Sequence, residues 1–228
     1  MDEGVRRVGM VANGLGWGLA LWVFLWPHPY WLAVLIGVLS PFGAWGLCLW
    51  SGRQIAVTEQ KGDGRVDVTG LTWFAALAVA VRGLSDVQIF DWQWLLAGAV
   101  FIGAGWMAMT WWVDPASLRL KFMWVFLGLI SIAYGWGVLA LADQQLDSAP
   151  ASVYRSAIEG MRISHGKSTS YYLTLAPWGP QTQADEVDVG RRFYRTVSRG
   201  EIVCVLLHPG FLKARWFEIR KCGVNPSP

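Results

Sequence analysis

Long, nearly uncharged hydrophobic runs fill residues 1–142, and short segments that alternate apolar with polar positions fill most of the remainder. The runs lie at 8–26, 30–50, 68–84, 93–113 and 121–142, with only the Pro27-His28-Pro29 turn between the first two. At about 1.5 Å per residue, roughly 20 apolar residues cross a hydrocarbon layer of about 30 Å, so four of the runs are full spans. The third is shorter and holds Arg82 near its end, which leaves its crossing open. The fold predicted for 1–142 is therefore a membrane α-helical bundle of five, or else four, transmembrane helices. Residues 5–26 have the charged start and apolar run of a secretory signal, but no small-residue cleavage site precedes the next run. They are read as an uncleaved anchor.

Beyond a polar linker at 143–152, alternation predicts strands at 153–163, 171–176, 201–207 and 215–220, punctuated by glycines and prolines. Val189, Phe193 and Val197 share one helical face and predict a short helix over 189–197. The product is a small all-β, barrel-like domain at 153–222 with one helix, followed by a tail at 223–228. Within 51–67, alternation around Ile55 and Val57 and a Lys-Gly-Asp-Gly turn at 61–64 suggest a short hairpin.

Composition sharpens this division. Fourteen of the sixteen tryptophans lie in the first part, and Trp26, Trp31, Trp50, Trp92, Trp94, Trp111 and Trp112 fall near run ends, where an amphipathic ring bridges lipid and water. Basic and acidic residues balance over 1–142, so the whole net charge of +3 belongs to residues 143–228. That excess is too small to imply nucleic acid. With five crossings, one side receives Arg6, Arg7, Arg53, Lys61, Arg65, Arg119 and Lys121, while the short loops of the other receive only Arg82. The expected orientation has the amino terminus in the cytoplasm and the β-domain in the periplasm of a bacterial inner membrane.

Cys204 and Cys222 bracket two predicted strands, and outside a reducing cytosol such a pair is expected to oxidise, closing a loop worth about 3 kcal/mol. The other reading is two unrelated buried cysteines. Cys48, inside the second run, is expected to be a buried free thiol. A zinc site from Cys204, Cys222, His165 and His208 lacks the usual ligand spacing, so no metal is predicted.

Small residues recur at Gly14, Gly16 and Gly18, at Ala99 and Gly103, and at Ser131 and Gly135. Such spacing lets helices approach closely, either within one bundle, the favoured reading, or at the seam of a homo-oligomer or along a transport path. Asn13, Thr110 and Ser131 are the polar exceptions in the runs, and no ionisable residue sits centrally, which disfavours an ion carrier.

The strings SHGKSTSYYLTLAPWGP (164–180), VSRGEIVCVLLHPG (197–210) and WFEIRKC (216–222) carry a resemblance. They are similar to the tail of a domain-of-unknown-function family of bacterial inner-membrane proteins, in which several hydrophobic helices precede a small β-domain with a G-[DE]-x-V-x-V-x-x-x-P-G strand. The resemblance covers mainly the last third of the chain. It implies this architecture and no reaction, cofactor or catalytic residue.

The string His165-Gly166-Lys167-Ser168-Thr169 evokes a phosphate-binding loop, but position 161 is methionine where that loop needs glycine, and strands flank it. It is read as a hairpin turn. His165 and His208, with Ser164 and Ser168, form no recognisable hydrolytic motif, so no catalytic residue is assigned. Arg191, Arg192 and Arg195, with Arg199, are candidates for an acidic partner or anionic lipid, or a solvated helix face. Pro177 and Trp178, in the turn at 176–180, are candidates for a partner anchor. The expected function is non-enzymatic, a periplasmic β-domain that binds or scaffolds an envelope protein or surface. The alternatives are a channel, transporter or lipid-handling bundle with a regulatory β-cap, or a membrane protein that protects against a toxin.

Overall fold

The computed structural model describes residues 2–59, 64–118, 121–166 and 169–223. Lys61 and most of its turn, Arg119, Lys167, Ser168 and the tail after Gly223 lie outside the described residues. The chain divides into two compact units, Met1–Asp147 with Phe211–Ala214, and Ser148–Gly210 with Arg215–Pro228.

The first unit is helical. Four of its helices are long and apolar enough to cross a membrane: α1 (Glu3–Leu25), α2 (Tyr30–Trp50), α4 (Gln93–Val113) and the stretch Met123–Gln145 of α5 (Lys121–Gln145). The fifth, over Gly70–Ser85, opens with a π-helical turn at Gly70–Phe74 and continues as α3 (Ala75–Ser85). At about 1.5 Å per residue it reaches roughly 24 Å, short of a full span.

Contacts at the helix ends give each helix its direction. At one end, the Asp2 amide donates to Gln54 Oε1, Arg53 to the Trp112 carbonyl, and Arg65 to Asp114. At the other, Arg82 donates to the carbonyls of Val23 and Phe24 at 2.8 and 2.7 Å, and Tyr30 donates to Asp86 at 2.7 Å. The last residues of α5, among them Leu141 and Gln145, line a groove with Trp31 and Val34 at that same end. Successive helices therefore alternate in direction, the short α3 included, and the chain leaves the bundle at the end opposite its first residues.

Ahead of α3, the residues around Ile55 and those around Val66–Val68 pack along the first turns of α1, where Ile55 and Val68 join Ala12 and Ala44 in one buried cluster. Two strands there, β1 (Ile55–Ala56) and β2 (Val66–Asp67), pair in parallel, Ile55 with Val66. The expected hairpin is thus corrected, because a hairpin needs antiparallel strands and these two run parallel beside α1; the turn expected at 61–64 lies mostly outside the described residues.

Seams between helices are built on small residues. A Cβ on Gly83 would overlap Gly137 Cα, joining α3 to α5, and one on Gly135 would lie 2.6 Å from the Ala99 carbonyl oxygen, joining α5 to α4. Gly16 lets α1 touch the backbone at Leu71, whereas Gly14 and Gly18 face open space. The polar exceptions have internal partners. Asn13 Oδ1 accepts from the Gly70 amide, Thr110 accepts from Trp45 Nε1, and Ser131 donates to Leu127 of its own helix. Pro41, inside α2, has no N–H for the Gly37 carbonyl, and the Ser40 hydroxyl donates to that oxygen at 2.8 Å. Cys48 is a buried free thiol.

The α5 helix runs three residues beyond the expected start of the linker, carrying Asp143 inside it. Asp143 Oδ1 accepts from the Leu212 amide at 2.5 Å and its carbonyl from the Phe211 amide at 3.2 Å, so 211–214 belongs to this unit.

The second unit is a curled antiparallel sheet. Its strands are β4 (Ser152–His165), β5 (Thr169–Leu175), β6 (Asp185–Val189), β7 (Ile202–His208) and β8 (Trp216–Lys221), in the order β8-β7-β4-β5-β6. The strand between α3 and α4, β3 (Gln88–Ile89), lies in the first unit. The long β4 pairs with β7 over Ser152–Ala157 and with β5 from Ile158 onward, with a register shift between Ile158 and Gly160. A bulge there bends the strand from one partner to the other and curls the sheet into a half-barrel. Ile158, Leu173, Leu175, Val187, Val203, Val205 and Leu207 fill its concave side. The unit is a half-barrel and not a closed barrel.

Candidate functional site

The candidate surface lies where β5 begins and β6 ends. Strand β6 pairs with β5 in register, Tyr171 opposite Val189 and Leu173 opposite Val187, so the chain after Val189 emerges beside the first residues of β5. A single helical turn follows, α6 (Arg191–Tyr194). The expected helix over 189–197 is corrected to this turn, since Val189 is held in the sheet and the chain turns again at 199–200.

The turn is fixed from below. Tyr194 packs its ring 5.2 Å from that of Tyr171, and Val197 is buried. These contacts force the intervening arginines outward, and Arg191, Arg192, Arg195 and Arg199 are all exposed. None of the four has a carboxylate within salt-bridge distance among the described residues. Three other cations of the unit behave differently. Arg162 forms a bidentate pair with Glu186 at 2.8 and 2.7 Å and lies over the Tyr172 ring, Arg220 pairs with Glu218, and Lys221 with Glu201. The Arg162 guanidinium holds the Glu186 carboxyl below its ordinary range, and Lys221 does the same for Glu201. Glu186 and Glu218 are thus engaged by Arg162 and Arg220, whereas Glu201, paired with Lys221, also accepts from the Ser198 amide at 2.9 Å, beside Arg199. Beside Arg191 runs a polar groove of about 430 Å³ lined by Thr169, Ser170, Tyr171, Asp188 and Gly190.

The other expected site residues are dispersed. Pro177 is exposed, but Trp178 is only 5 % exposed and is corrected from partner anchor to core residue. Its indole lies 5.3 Å from the Phe217 ring and 5.9 Å from that of Tyr154, and its backbone exchanges two hydrogen bonds with Gln181. Gly179, at φ +43°, continues this closure, since a Cβ there would meet the Tyr154 ring at 2.7 Å. The turn 177–180 therefore closes the concave side of the half-barrel.

Cys204 and Cys222 form a disulfide between β7 and the end of β8. Both are half-buried, on the convex side, because the alternate residues Val203 and Val205 point into the core. His165 ends β4, whereas His208 lies in β7 beside the start of that strand, where Leu207 pairs with Ser152. The two histidines are at opposite ends of β4 and share no site. His208 stacks on Trp216 at 3.8 Å, with Nε2 3.6 Å from Glu218. Among the described residues no group of three or more His, Cys, Asp or Glu side chains is placed to hold a metal.

One cluster was missed by the sequence reading. Asp114, immediately after α4, is buried and accepts from Arg65, from the Val57 amide at 3.1 Å and from Ser117 Oγ at 2.5 Å. Ser117 in turn accepts from the Thr58 amide, and Thr58 Oγ1 from Trp73 Nε1. With its oxygens satisfied, Asp114 fastens Val57, Thr58 and Arg65 to the end of α4. Its signal was an acid directly ahead of Pro115, facing an arginine-bearing loop.

Comparison with protein-family models, with curated proteins and with solved structures finds no match.

Proposed function

We propose that this is a non-enzymatic multi-pass protein of a bacterial inner membrane, with its amino terminus cytoplasmic and its disulfide-bonded β-unit periplasmic, where that unit holds another envelope component. The observation that carries the reading is the alternation of the five helices. The chain enters at the end bearing Arg6, Arg7, Arg53 and Arg65 and leaves at the end whose short connections bear only Arg82. The positive-inside rule favours an external β-unit, and the Cys204–Cys222 bond supports the same compartment, since such a bond persists outside a reducing cytosol. The family resemblance of the tail belongs to the same proposal.

Glycine-mediated seams and internally satisfied polar groups support an anchor in preference to a conduit. Photo-crosslinking in cells from the exposed positions Pro177 and Arg195 tests the binding role. The expected result is one reproducible envelope component, and the absence of any reproducible adduct across growth conditions overturns it.

A further inference from the structure

We propose that the Cys204–Cys222 bond of the β-unit is a site of stoichiometric thiol–disulfide exchange that takes up an electron pair from a protein dithiol. The inference goes beyond the binding role above, and it is measured on the purified protein, so the two fail separately.

The two sulfurs have unlike surroundings. Cys204 occupies the middle of β7, between Val203 and Val205, which point into the core, so its own side chain stands on the convex face. The ladders put Arg155 of β4 opposite it on one side and Arg220 of β8 opposite it on the other. Directly opposed residues share a face, with Cβ atoms about 4.5–5.5 Å apart, so Cys204 lies in a row between two arginines. Arg155 is exposed, and among the described residues it has no carboxylate within salt-bridge distance. Arg220 meets Glu218 at 2.7 Å, which leaves the row with one cation in excess. Cys222 lies one residue past the end of β8, beyond the last ladder pair of Val203 with Lys221, and is followed by exposed Gly223.

These positions assign different roles to the two cysteines. An incoming thiolate attacks Cys222 Sγ at the end of the sheet, the new S–S bond forms there, and the Cys204–Cys222 bond breaks with its electron pair leaving on Cys204 Sγ. That sulfur becomes a thiolate between Arg155 and Arg220. Neighbouring guanidinium groups favour the charged form of a cysteine, and a more stable thiolate leaves faster. The second thiol of the dithiol then attacks the sulfur of the first, and Cys222 departs from the mixed disulfide. Two electrons have passed to the cysteine pair, the dithiol has become a disulfide, and its protons go to Cys222 and to water.

The test treats the full-length protein, folded in detergent, with 2-mercaptoethanol, a neutral monothiol that the arginines do not steer. Acid quenching and peptide mass mapping are expected to place the adduct on Cys222 and the free thiol on Cys204. Native reduction should slow by about threefold in R155Q and about tenfold in R155Q/R220Q, the changes expected of a poorer leaving group. R155K, which keeps the charge, should retain the rate, as should R191Q on the arginine turn. In denaturant, wild type and R155Q should react alike. Arg155 is exposed, so R155Q alone carries the test if the double variant does not fold. Equal native rates for wild type and R155Q overturn the inference, and so does an adduct chiefly on Cys204. Reduction no faster than global unfolding also overturns it, because the bond would then be purely structural.

Discussion

The side chain of Asn13, midway along α1, accepts a hydrogen bond from the Gly70 amide at 2.7 Å and so caps a helix that begins beside it. The first amides of a helix have no partner within it, and here the missing acceptor comes from a neighbouring helix at a point where Gly16 and Gly70 bring the backbones together. Replacing Asn13 with leucine should destabilise the helical unit by about 1 kcal/mol, the typical cost of losing a capping side chain. Thermal unfolding in detergent reads the effect. Asn13→Asp, which keeps the acceptor, should retain more stability than Asn13→Leu.

Gly137 is the tightest constraint on α5. A Cβ there would sit 2.6 Å from the Val79 carbonyl oxygen and 2.8 Å from Ala80 Cα, and backbone cannot yield as a flexible side chain does. Gly137→Ala should therefore cost about 1–3 kcal/mol through overpacking. Gly14→Ala, which faces open space on α1, should be neutral or slightly stabilising. Paired unfolding measurements separate the two, and equal losses would remove the claim that Gly137 is an internal seam.

The Arg162–Glu186 pair makes an acid-side prediction. Arg162 holds the folded-state Glu186 carboxyl below its ordinary value of 4.5, so the pair's contribution is present above that value and lost as pH falls through the folded one. Glu186→Gln should be less stable than the wild type at neutral pH, with the difference closing as pH falls below the ordinary glutamate range. Both groups are exposed, so the difference should also shrink in high salt. An unchanged gap from pH 7 to pH 3 would contradict the pairing.

Hydrophobic periodicity made most of the fold legible. The long helices need only length and apolar composition, and four of the β-unit's strands fall within two residues of their expected places because Val203, Val205 and Leu207 alternate cleanly into the core. Strand β6 escaped because Asp185, Glu186 and Asp188 surround Val187, a composition that guards a sheet edge while weakening the strand signal. Trp178 was misplaced because proline and glycine around it suggest an exposed turn. Whether such a turn projects or folds inward depends on Tyr154 and Phe217, far away in sequence. The arginine cluster was readable, but the pairing of Glu186 elsewhere was not, because Glu186 meets Arg162 only once β5 and β6 are in register.

The direction of α3 decides the location of everything after it, and it links two measurements that must agree. Arg82, near the end of α3, holds the last carbonyls of α1, while Asn13 meets the start of the same segment, so α3 runs alongside α1 in the same sense. With α3 as a crossing, the chain passes five times and Cys204 and Cys222 reach the oxidising side. With α3 lying along the surface, the β-unit would return to the reducing cytosol and the bond would not persist. A reporter fused after Pro228 is therefore expected to be active only as a periplasmic enzyme. Thiol labelling of denatured, unreduced protein should find Cys48 alone. Cys204→Ser should then lower the stability of the β-unit by about 2–5 kcal/mol, because the bond restrains the unfolded chain of a small domain. A cytoplasmic reporter together with three labelled thiols would overturn the orientation, the disulfide and the envelope role in one experiment. A periplasmic reporter with three labelled thiols would remove the disulfide and leave the topology standing.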